Sequence, residues 1–129
     1  MPSRPRRRPP CDLRERMNAA MKCLILQPYQ REFDPAPRVA QGGVVQFEKL
    51  DPRNPAWFFG RDAAGIAGFF PVAWFEVTGS SATAKRDYDA RELTVRAGDA
   101  VQILERHGRW ARVEREDGTS GWIPEESLP

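Results

Sequence analysis

The amino-acid sequence predicts an all-β fold, two tandem five-stranded small barrels behind an N-terminal tail that is disordered or partly helical. Three observations predict it. Trp57, Gly65, Gly68, Phe69 and Pro71 recur as Trp110, Gly118, Gly121, Trp122 and Pro124, each pair 53 residues apart, so the block Trp-x7-Gly-x2-Gly-aromatic-x-Pro occurs twice. The chain of 129 residues carries 12 prolines and 10 glycines, which divide it into apolar runs too short for packed helices. Within each copy apolar residues alternate, Val45 with Phe47 and Val101 with Ile103, as strands with one buried face require.

The tail spans residues 1–21. Residues 1–11 (MPSRPRRRPPC) hold nothing that could form a core. Residues 12–21 suit a short helix, with Asp12 as its cap and Leu13, Met17 and Met21 on one face. Met17 and Met21 are also plausible start residues. The first repeat spans 22–78, the second 83–129, and Thr78-Gly79-Ser80-Ser81 forms a polar hinge between them. Gly42-Gly43 and Gly98-Asp99 are turns before the first long strand of each copy. The next turn is Asp51-Pro52-Arg53-Asn54-Pro55 in the first copy and His107-Gly108, three residues shorter, in the second. After each Trp comes a strand, then a hairpin turn at Ala64-Gly65 or Asp117-Gly118, for which two-residue Asp-Gly loops are a strong signal. Gly68 and Gly121 mark close backbone approach in the return strand, and Pro71 and Pro124 end it. Val45, Phe47, Phe70, Phe75, Val101, Ile103, Val113, Ile123 and Leu128 are the expected core.

Two units of about 55 residues lie near the lower size limit for a core without disulfides or metal. Cys11 and Cys23 are too badly placed to staple much and are read as free thiols of a reducing cytoplasm, with no zinc spacing around them. A content of 29% charged residues describes a soluble protein. The start is Arg-rich but lacks an apolar stretch of signal-peptide or membrane-span length. The formal net charge of +2 hides an asymmetry: six arginines in residues 1–20 outweigh Asp12 and Glu15, so the remainder is acidic on balance. The sole histidine, His107, lies beside a turn glycine, and no Ser, Cys or carboxylate pair carries a catalytic pattern, so neither an enzyme nor a cofactor is expected.

The residues of the second copy resemble the Src-homology-3 family. Ala84-Lys85-Arg86-Asp87-Tyr88 stands where such domains open Ala-Leu-Tyr-Asp-Tyr, and Glu92-Leu93-Thr94-Val95-x2-Gly98-Asp99 where they continue Glu-Leu-Ser-Phe-x2-Gly-Asp. Trp110 and Gly118-Thr119-Ser120-Gly121-Trp122-Ile123-Pro124 resemble the rest of the pattern. In the first copy, Ile25-Leu26-Gln27-Pro28-Tyr29 takes the place of the opening motif. The whole looks like a bacterial tandem of variant Src-homology-3 domains, the bacterial hint resting on the Arg, Ala and Pro bias alone.

The resemblance implies a groove that binds extended, Pro-rich peptides on aromatic walls. By matching motif positions, groove 1 comprises Tyr29, Trp57, Phe69, Pro71 and Trp74, with Glu32 and Asp34 in a loop that would pair with a ligand Arg or Lys. Groove 2 comprises Tyr88, Trp110, Trp122 and Pro124. Departures stand at Gln27 and Arg86, each replacing a groove Tyr, at Trp74 for Tyr, and at Ser127 for Tyr; the first groove keeps more of the pattern. The expected function is therefore a non-enzymatic, cytoplasmic adaptor for a peptide or protein partner. Two alternatives remain open at this stage. A nucleic-acid-binding small barrel could stack bases on Trp57 or Trp110, against the acidic balance of the folded part. A structural subunit could bury both aromatic faces. Pro2-x-x-Pro5-x-Arg7 also fits a ligand that this family reads, so the tail could dock on a groove of its own chain or of another copy.

Overall fold

The computed structural model describes residues 22–129, and every described strand pairs in an all-β arrangement. The tail, with Cys11, the expected helix 12–21 and the Pro-x-x-Pro tract, lies outside the described residues. The strands are β1 (Cys23–Leu24), β2 (Arg38–Val39), β3 (Val44–Leu50), β4 (Trp57–Arg61), β5 (Ala67–Pro71), β6 (Phe75–Thr78), β7 (Ser81–Ala84), β8 (Tyr88–Asp89), β9 (Ala100–His107), β10 (Trp110–Arg115) and β11 (Ser120–Pro124). They form a five-stranded sheet β5-β4-β3-β7-β6, a four-stranded sheet β1-β9-β10-β11 and a two-stranded pair β2-β8. The expectation of two closed five-stranded barrels is corrected in this respect: each ladder is an open sheet.

The chain divides into two compact units, and they do not coincide with the repeats 22–78 and 83–129. The described part of one, the split unit, consists of residues 22–30 and Leu93–Pro129; the other, the inserted unit, is Arg31–Glu92. Relative to the repeats, the opening segments are exchanged. β1 pairs with β9, Cys23 opposite Val101, and Tyr29 bridges Val95. In the other direction, β7 pairs with β3 and β6, and β8 pairs with β2.

Side-chain volume accounts for the exchange. The inserted unit has an aromatic core: the rings of Phe58 and Phe70 stack at 5.2 Å, and Phe75 stands edge-on to both at 5.4 and 5.6 Å. Fifty-three residues on, the split unit has Ala111, Ile123 and Leu128 at the same positions, within an aliphatic core. The opening segments differ in the complementary sense. β7 contributes the small buried Ala82 and Ala84, the latter opposite Phe75. The matching positions around β1, Cys23 and Ile25, are larger and complete the aliphatic core. Bulky segments lie with small cores and small segments with bulky cores, as close packing demands.

The repeated blocks keep the same local construction. Each block's strand pair, β4-β5 or β10-β11, is joined by a loop one residue longer than expected. Asp62 N–H bonds Ile66 O at 3.0 Å, and Arg115 N–H bonds Thr119 O at 2.8 Å, each enclosing three residues that end in a left-handed glycine, Gly65 (φ 85°) or Gly118 (φ 90°). Each block closes in a 3-10 turn after its proline, at Val72–Trp74 and Glu125–Ser127. The first N–H of each turn bonds a carbonyl at the matched position, Ala56 or Arg109. Gly68 is required by contact, because a Cβ there would meet Pro37 at 2.7 Å. The expected core residues are buried except Phe47, which is half-buried against Phe58.

Two outcomes follow from the exchange. A fragment of residues 31–92 should give dispersed amide NMR spectra, whereas 22–78, which lacks β7 and β8, should not. In the full chain, Ile25→Ala should cost about 2–5 kcal/mol through a cavity, and Ala84→Ile about 1–3 kcal/mol through overpacking, both read from urea denaturation.

Candidate functional site

The split unit brings together three of the expected groove residues. Tyr29 is fixed by its backbone, whose N–H donates to Val95 O at 2.9 Å and whose carbonyl accepts from Val95 N–H at 2.8 Å. Trp110 opens β10 directly after a tight turn in which Gly108 and Arg109 both have positive φ, 52° and 71°. The two rings meet edge to face, centroids 5.6 Å apart and planes at 84°. Pro124 is the cross-strand partner of Trp110. All three side chains are half-buried, so each keeps accessible surface. The arrangement sets Tyr29 beside Trp110 rather than with Trp57, where it was expected, because β1 belongs to this unit. Gln27 and Ser127 take the remaining wall positions. Gln27 is exposed, and Ser127 is buried with its carbonyl accepting from Leu26 N–H. Trp122, expected as a wall, is 2% exposed, and its carbonyl accepts from Leu93 N–H at 3.1 Å.

The inserted unit receives Tyr88 in exchange. Tyr88 was expected beside Trp110; instead its ring lies 5.5 Å from Trp74 and 5.7 Å from Phe70. It is 5% exposed, Trp57 is 6% exposed and Pro71 is fully buried. These three are thus packed residues, and β4 is buried on both faces through Trp57 and Phe58. Phe69 and Trp74 are half-buried. The ring of Phe33, between the two acidic loop residues and not among the expected groove residues, stands edge-on to Phe69 at 5.9 Å. The acidic loop does not stand ready for a ligand cation: Asp34 pairs with Arg31 at 2.8 Å. The side chain of Glu32 is exposed, while its N–H donates to the buried carboxylate of Glu92 at 2.9 Å. Arg86 lays its guanidinium over the Trp74 ring, 3.6 Å from the centroid.

A model of the SH3 domain family matches residues 83–125. The match supports an SH3-like domain in that part of the chain. It is continuous in sequence but draws its opening, up to Glu92, from the inserted unit and the rest from the split unit. No curated protein and no solved structure matches the chain. Among the described residues no group of three or more His, Cys, Asp or Glu is placed to hold a metal ion, and no helix is long and apolar enough to cross a membrane.

Tyr88 links the SH3-like opening motif to the core chemistry. In the split unit, Trp122 O is satisfied by Leu93 N–H. In the inserted unit the position matching Leu93 is Pro37, which has no N–H to give, and the matching carbonyl, Phe69 O, accepts instead from the Tyr88 hydroxyl at 2.8 Å. Burial pushes the Tyr88 phenol well above its ordinary value, and the carboxylates of Asp89 and Glu92 push it the same way. A raised phenol pKa means that the folded state keeps the proton where the unfolded chain has lost it. This contribution to stability is therefore intact below about pH 10 and falls as pH rises above it. Tyr88→Phe should cost about 1–3 kcal/mol at pH 7 by orphaning Phe69 O. It should also flatten the loss of stability above pH 10; denaturation midpoints from pH 7 to 11 give both readings.

Proposed function

We propose that the chain is a non-enzymatic protein-binding module, built from two SH3-like β units with exchanged opening strands, whose principal site is the Tyr29–Trp110–Pro124 groove of the split unit. One observation carries this reading: the edge-to-face pair of Tyr29 and Trp110, beside Pro124, with all three half-exposed. Two aromatic rings at right angles with a proline at their base form a ridge-and-furrow surface. An extended peptide with proline rings packs into such a surface, and its preformed three-fold helix loses little entropy on docking. Such contacts give weak, exchangeable binding, as an adaptor needs. The family match over residues 83–125 supports a binding role and includes Trp110 and Pro124. Glu126, exposed in the 3-10 turn that follows Pro124, favours a ligand carrying Arg or Lys. The buried, unbridged Cys23 suits a reducing compartment such as the cytoplasm. The groove proposed for the inserted unit, with Tyr88, Trp57 and Pro71 as walls, is the weaker candidate for a proline ligand, because those three are packed.

A Pro-rich peptide with a flanking Arg should shift the amide resonances of Tyr29, Trp110 and the 3-10 turn at Glu125–Ser127. Trp110→Ala should weaken that binding at least about tenfold, with the thermal unfolding midpoint little changed. Shifts confined to the inserted unit, or an unaltered affinity in the variant, would overturn the assignment.

A further inference from the structure

The outer face of the five-stranded sheet carries a row of side chains that the split unit has closed. Lys49, Phe59 and Phe69 are successive cross-strand partners on β3, β4 and β5, so their side chains stand side by side on one face. That face is turned away from the core, because the next residues along the strands, Phe58 and Phe70, are fully buried. The Phe69 ring lies 5.3 Å from Phe59 with the planes at 65°, and the Phe33 ring stands on its other side at 77°. All three rings are half-buried, and Lys49 is exposed. The corresponding row of the split unit is Glu105, Arg112 and Trp122, again successive cross-strand partners. There Glu105 pairs with Arg112 at 2.7 Å and Trp122 is buried, so the row is satisfied from within. In the inserted unit phenylalanine stands in the arginine's place and lysine in the glutamate's. Glu48, beside Lys49 where the strand register shifts, is engaged by Arg61 at 3.0 Å. Lys49 itself makes no ion pair among the described residues.

We infer that the Phe33–Phe69–Phe59–Lys49 row is a second binding site, for a peptide that presents an aromatic side chain with a carboxylate close beside it. Rings set edge to face leave furrows between them, and a further aromatic ring entering a furrow continues the same favourable geometry. The Lys49 ammonium at the end of the row then meets the carboxylate in a charge-assisted hydrogen bond. The charges also orient the ligand. At the Phe33 end the side chain of Glu32 is exposed and Asp34 is engaged by Arg31 at 2.8 Å, so that end repels an acid and the Lys49 end attracts it. A Pro-rich peptide does not suit this face, since Trp57 and Pro71, which would supply its ridges, are buried. Nor does a nucleic acid, whose run of phosphates needs several cations where the row ends in a single lysine. The two units thus present different preferences: a cation-bearing, Pro-rich ligand at Trp110 and an aromatic, acidic one at Phe59. This inference concerns a different site from the Trp110 groove and stands or falls without it.

The test is a titration of the full chain followed by NMR, with proline-free peptides of identical frame. One position is Phe or Ala, and a second, close to it, is Glu or Lys. The Phe–Glu peptide should shift the amides of Phe33, Lys49, Phe59 and Phe69, and replacing its Phe by Ala should weaken binding at least about tenfold. Replacing its Glu by Lys should weaken binding about two- to fivefold, the scale of an exposed ion pair. Lys49→Glu should reverse the preference between Glu and Lys. Lys49 is exposed, so that variant is expected to keep its fold, checked by amide dispersion. Lys49→Glu combined with Phe59→Arg restores the split unit's ion pair and should abolish binding at this face. Equal binding of the Phe and Ala peptides, an order of Glu and Lys that Lys49→Glu leaves unchanged, or no shift at Phe59 and Phe69 with any peptide would each overturn the inference. So would a preference of this face for a single-stranded oligonucleotide, or shifts of the same amides when the chain alone is diluted, which would mean that a second copy covers the row. None of these outcomes bears on shifts at Tyr29 and Trp110, so the two sites are judged separately.

Discussion

Both units depend on a match of volumes between an opening segment and the core it completes. Phe58, Phe70 and Phe75 fill the inserted unit, and the opening strand packed with them brings only the small buried Ala82 and Ala84, the latter opposite Phe75. Ala111, Ile123 and Leu128 leave room in the split unit that Cys23 and Ile25 fill. Hydrogen bonding alone could not enforce this choice, because any extended segment can pair with an open ladder and its backbone carries no sequence information. Packing density does discriminate: a methyl group too many or too few on each partner is felt as strain or as a void. The exchange of opening segments is thus a property of side-chain size, written in residues that a motif search treats as interchangeable apolar positions.

Much of the local construction was legible in the sequence, since it rests on glycine and proline at fixed offsets. The left-handed glycines, the strand ends at Pro71 and Pro124, and the all-β class follow from backbone chemistry that operates within a few residues. The assignment of Tyr29 and Tyr88 to their grooves was not legible. It depends on tertiary contacts, Tyr29 with Trp110 and Tyr88 with Trp74, and each tyrosine stands at the same motif place in its own copy, so spacing gave no preference. Reading the core volumes position by position, Phe58 against Ala111 and Ile25 against Ala84, would have supplied the missing signal. Trp57 and Trp122 illustrate a second limit. Their motif positions are those of groove walls, yet burial is a tertiary quantity, and no local pattern separates a packed indole from a presented one.

The exchange also changes what divergence between the copies can accomplish. A substitution in an opening segment acts on the packing of the other copy's block. Arg86 lies within the stretch of family resemblance that continues into the split unit, yet its partner is Trp74. Tyr29 belongs to the first copy but faces Trp110. Each of these aromatic clusters is therefore assembled from both copies.

The insertion of one unit within the other has a consequence for synthesis on the ribosome. Chains emerge from the N-terminus, at about 5–20 residues per second. The inserted unit has all its strands once Glu92 has emerged, when the Glu92 carboxylate can take the Glu32 N–H and bring the two ends of the insertion together. Until then β1, with Cys23 and Ile25, has no core to join, for its partner β9 is still to be made. Once the insertion has closed, the stretch between Cys23 and Val101 acts as a far shorter loop, and joining them costs correspondingly little entropy. The order of translation thus favours the aromatic core first and the aliphatic core second, with the earliest strand waiting for the last.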